Sequence, residues 1–68
     1  MLEINELRQN ALDEVNEQMD IINTTIYIST IPKMLDKIRL SGFVHGLEIL
    51  EIITFYEWER IGKIIEQL

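Results

Sequence analysis

Residues 24–31 read Thr24-Thr25-Ile26-Tyr27-Ile28-Ser29-Thr30-Ile31, and the conformation of this run decides the fold. It is β-branched and alternating, so propensity alone favours a short strand. A strand needs a partner, however, and no second run of this kind occurs in the chain. Left unpaired, its backbone donors and acceptors would go unsatisfied. The run is therefore expected to continue a long first helix that ends near Ser29, and the fold class is expected to be all-α.

Upstream, apolar residues recur as Ile4, Leu7, Ala11, Val15, Met19 or Gln18, Ile22 and Ile26. These steps of three and four keep to one side of a helix. Leu12 and Ile21 widen the stripe, and Glu3, Glu6, Arg8, Asp13, Glu14 and Glu17 take the other side. The spacing follows a 3.6-residue repeat more closely than a strict 3.5-residue one, which suits a bundle better than a long coiled coil.

Downstream, Pro32 is unfit for a helix interior but suits a first turn, where Ser29 or Thr30 could cap the free N–H groups. A second helix is expected to begin there. Met34, Leu35, Ile38, Leu40, Phe43, Val44, Leu47, Ile49, Leu50, Ile52 and Ile53 cover most of its circumference, as in a central and deeply buried element. Thr54 and Glu57 then form a Thr-x-x-Glu capping box, so that a new helix begins one residue after Ile53. Phe55, Trp58, Ile61, Ile65 and Leu68 follow at helical spacing. The expected helices span about 3–29, 32–52 and 55–67, the last two joined by a short turn as an αα-hairpin.

From about Leu47 the order of helix, Ile53-Thr54 and a Glu57-Trp58 helix resembles the ending of many small proteins of Gram-positive bacteria and their phages. The resemblance covers the tail alone and implies no activity.

Composition narrows the function. At 68 residues the chain has room for one domain, and a chain this short buries only roughly 60% of its unfolded surface. It has no cysteine and one histidine, so disulfides and a structural zinc site are excluded as supports. Association with a second copy is the expected support, giving a helical-bundle homodimer. The hydrophobic fraction of 47% fits a folded chain. No window is long and apolar enough for a membrane span, and Met1-Leu2-Glu3-Ile4-Asn5-Glu6 is acidic where a signal peptide is basic. A cytoplasmic location is expected. The net charge of −6 opposes direct nucleic-acid binding.

Catalysis needs convergent groups with tuned pKa values, and the chain has one histidine and serines only at Ser29 and Ser41. His45 and Glu48 supply at most two metal ligands of the three or four required. No enzyme activity, metal, cofactor or small-molecule substrate is expected. Gly42 and Gly46 form a Gly-x-x-x-Gly step inside the second helix, each costing up to about 1 kcal/mol relative to alanine. A close helix crossing would offset that cost, within the chain or at a two-fold axis. Gly42, Gly46, Ile22 and Ile26 are the expected helix-packing or oligomer contacts.

Lys33, Lys37 and Arg39 stand near the start of the second helix, where cations oppose its dipole. The acidic first helix, from the same chain or a neighbour, is the simplest match for them. Tyr27 and Tyr56 are expected to face outward and, with Glu14 and Glu17, to contact an unidentified partner protein. The expected function is a small regulator or inhibitor of a host protein, carried by a phage or mobile element. The alternative is a DNA mimic whose acidic first helix fills a nucleic-acid-binding cleft.

Overall fold

A computed structural model describes residues 3–68. Among these the chain is all-helical, with α1 at Ile4–Thr24, α2 at Thr30–Ile49 and α3 at Phe55–Glu66, and it contains no strand.

The first helix stops at Thr24, short of the expected end near Ser29. Two threonines account for this. The Thr24 hydroxyl donates to the Asp20 carbonyl at 2.8 Å, and Thr25 donates to the Ile21 carbonyl through both its N–H and its hydroxyl. These bonds occupy carbonyls at the helix end while the β-branched run turns extended, Thr25 having φ −75° and ψ 134°. The strand propensity of the run is thus expressed as a linker, residues 25–29, extended at Thr25 and Ser29 and bent at Ile28 and Ser29, without a ladder. Its alternation survives: Tyr27 faces the protein and Ile26 and Ile28 face solvent. Ile26 therefore does not extend the stripe of α1, as the spacing suggested.

The second helix begins at Thr30, two residues ahead of Pro32, which lies in its first turn. Ser29 holds the N-cap position, but its side chain makes no capping bond. The helix ends at Ile49, ahead of the expected residue 52. There the Glu51 N–H donates to the Glu48 carbonyl and the Ile52 N–H donates to the Leu47 carbonyl, each at 2.9 Å. This is the Schellman pattern, and it places Glu51 in the left-handed region at φ 60° where glycine is usual.

The third helix starts where the capping box requires. Thr54 Oγ1 accepts from the Glu57 N–H at 3.1 Å, and Glu57 Oε1 accepts from the Thr54 N–H at 2.9 Å.

One core joins the three helices: Ala11, Val15 and Ile22 from α1, Leu40, Val44 and Leu47 from α2, Ile61 and Ile65 from α3, and Ile53 from the turn. The second helix lies between the other two, packing on both. Central it is, but not deeply buried: only Leu40, Val44 and Leu47 of its many apolar residues are fully covered, as many as α1 buries. The molecule is elongated, 41 × 20 × 14 Å, with a radius of gyration of 12.6 Å against about 11 Å for a compact chain of this length. It exposes 5282 Å², where a compact monomer of its mass exposes roughly 4,450 Å².

Candidate functional site

Part of this exposure gathers on one face of α2. With Leu40, Val44 and Leu47 turned to the core, Ile31, Leu35, Ile38, Gly42 and Ile49 fall on the opposite side of α2, at steps of four, three, four and seven. Ile31 is 65% exposed, Leu35 48%, Ile38 62% and Ile49 64%. Nothing among the described residues covers this stripe. Met34, 57% exposed, flanks it on the side of α3. More large apolar side chains are exposed than buried among the described residues, and α2 carries the longest continuous set.

Beside the stripe an open groove of about 390 Å³ runs between α2 and α3, lined by Met34, Lys37, Ile38, Ser41, Gly62, Ile65 and Glu66. His45 closes the other end of this seam by stacking on Trp58, ring centroids 5.0 Å apart and planes 22° apart. The histidine thus has a packing partner. Among the described residues no three His, Cys, Asp or Glu side chains are grouped so as to hold a metal ion.

Gly42 is exposed and Gly46 half-buried. A Cβ added at either would meet no atom within 4 Å, so the close crossing expected of the Gly-x-x-x-Gly step is not made within this chain. Ile22 is buried at 3% exposure and serves the core, while Ile26 is 95% exposed on the linker. Tyr27 is half-buried and not outward, its hydroxyl donating to Asp36 Oδ2 at 2.9 Å. Burial first and that bond second raise the Tyr27 pKa above its ordinary value. Tyr56 is 80% exposed, edge-on to Phe55. Glu14 and Glu17 are exposed on α1. Glu14 accepts from Gln18 Nε2 at 3.0 Å and, with Arg39, lines a second groove between α1 and α2.

The basic cluster does not pair with the carboxylates of α1 as charge alone suggested. Lys37 donates to the carbonyl of Glu66 in the last turn of α3 at 2.8 Å, and Arg39 lies 3.8 Å from Asp36 on its own helix. Lys33 has no carboxylate within ion-pair distance among the described residues.

The ion pair that does join distant parts of the chain was not foreseen. Arg8 on α1 donates from both terminal nitrogens to the two carboxylate oxygens of Glu57 on α3, Nη1 to Oε1 at 2.6 Å. The Arg8 bonds, and next the Thr54 N–H, lower the Glu57 pKa from 4.5 to about 2. One sequence signal pointed here: Arg8 is the sole cation before residue 33.

Compared with protein-family models, with curated proteins and with solved structures, the chain matches none. The surface itself is the remaining guide to function.

Proposed function

We propose that this protein is a small acidic helical interaction module, a regulator or inhibitor that docks on a host protein without catalysing a reaction. It would belong with the compact binding proteins carried by phages and mobile elements, acting in the cytoplasm. The hairpin of α2 and α3 is the platform, and the outer stripe of α2 is the working face. The single observation that carries this reading is the apolar run Ile31, Leu35, Ile38 and Ile49 left uncovered on the middle helix. A large exposed apolar patch, especially one rimmed by polar residues, marks an interaction surface. The face is apolar where a membrane-spanning helix would have to be apolar all round, and no helix among the described residues is long and apolar enough to cross a membrane. Its partners are then protein surfaces, a second copy of the chain included.

The test is affinity capture from host lysate with the wild type and with Ile38→Asp as baits, circular dichroism confirming that both are folded. A protein retained by the first and lost by the second is the expected result. Equal retention by both would refute the assignment of this face.

A second reading has its own observation. Glu6, Asp13, Glu14, Glu17 and Asp20 are all exposed on α1, and none forms an ion pair among the described residues. Such a carboxylate row could imitate a phosphate backbone and occupy a basic cleft. Salt separates the two readings, because screening weakens a charged contact and spares an apolar one.

A further inference from the structure

We infer that, while no host protein is docked, the occupant of the outer face of α2 is a second copy of the same chain, lying antiparallel, with the two α2 helices crossing near Gly42. The inference rests on the proposed interaction face and identifies what covers it.

Three observations carry it. The first is area. The chain exposes several hundred square ångströms more than a compact monomer of its mass, on the order of the roughly 800 Å² that each partner contributes to a stable interface.

The second is shape. A two-fold contact must be self-complementary, and the stripe is so about Gly42. Leu35 and Ile49 lie seven residues to either side, so each faces the other across the axis. Ile38 and Gly46 lie four residues to either side, so the bulk of each Ile38 meets the space left open at Gly46 of the second copy. Large opposes small twice over, and the space at Gly42 lets the backbones approach where they cross.

The third is charge. In α2 Lys37 is held by the Glu66 carbonyl and Arg39 lies 3.8 Å from Asp36, so the charge that bears on a neighbour is that of the helix itself. Its first turn has no acid and its last turn no base, the reverse of what the helix dipole favours. An antiparallel neighbour opposes the two helix dipoles. A parallel neighbour would align them.

Sedimentation of the wild type and chemical cross-linking test this together. The expected mass is that of a dimer at micromolar concentration. Gly46→Leu, whose Cβ would meet no atom of its own chain within 4 Å, should stay helical and weaken the dimer by roughly tenfold or more. Because the chain has no cysteine, the single variants Leu35→Cys and Ile49→Cys can be labelled cleanly with a short bis-maleimide. A mixture of the two variants should give mainly the unlike product, in which position 35 of one chain is bridged to position 49 of the other. A folded monomer at 100 µM, or mainly like-with-like bridges, would overturn the inference. A monomer that still retains a host protein through Ile38 would lose the second copy and keep the interaction module; a monomer that retains none would lose both.

Discussion

The guanidinium of Arg8 and the carboxylate of Glu57 form a two-pronged ion pair that joins α1 to α3 across 49 residues of sequence. The same carboxylate also accepts from the Thr54 N–H and so completes the box that starts α3. One side chain therefore sets both a helix start and a tertiary contact.

Acid should expose this double role. Glu57 has its pKa lowered from 4.5 to about 2, so the folded state favours the ionised form. The stabilisation is fully present above pH 4.5 and is lost as pH falls through the interval down to about 2. Thermal melts of the wild type should decline across that interval. Glu57→Gln keeps a side chain able to complete the box and removes the titrating group, so its melting temperature should be lower at neutral pH and flatter below pH 4.5. Parallel curves for the two proteins would contradict the assignment.

Thr54→Ala removes the acceptor for the Glu57 N–H. A lost N-cap costs about 1 kcal/mol, which lowers the melting temperature of a domain this size by about 4–8 °C. Thr54→Ser should recover most of it. A melt unchanged by the alanine would show that the cap contributes nothing here.

Glu51 sits at φ 60° at the end of α2, a conformation that costs a side-chain-bearing residue about 1 kcal/mol or more relative to glycine. Glu51→Gly should therefore raise the stability measured by urea unfolding by about 1 kcal/mol. A loss of stability would mean that the carboxylate has a contact more valuable than the relief.

Ile64 and Ile65 are neighbours with opposite fates, 44% and 2% exposed. Ile65→Ala empties part of the core and should cost about 2–5 kcal/mol, enough to unfold much of so small a domain at 25 °C. Ile64→Ala should stay within about 0.5 kcal/mol in a monomeric background. Circular dichroism of the pair reads both, and a reversal of the order would place the core on the wrong face of α3.

The helical class, the presence of three helices and the start of α3 were legible in the sequence, because each rests on local chemistry. Thr54 and Glu57 need only each other, and the period of Ala11, Val15 and Ile22 needs only a helix. The end of α1 was misjudged since two rules competed. Absence of a strand partner correctly excluded a sheet, but it did not require a helix, and the hydroxyls of Thr24 and Thr25 tipped the run into an extended linker. Periodicity marked α2 as apolar on nearly every side without revealing which side stays uncovered. That depends on where α1 and α3 pack. The Arg8–Glu57 pair was invisible for a related reason, since no spacing rule reports on residues so far apart.

That separation also sets an order of events during synthesis. α1 is made before α3, and its anchor there does not exist until residue 57 has been added. Closing so long a segment carries an entropic cost that local contacts do not. Until then α1 has only its apolar stripe to hold it against α2, so the growing chain passes through a stage in which this helix is not yet locked in place.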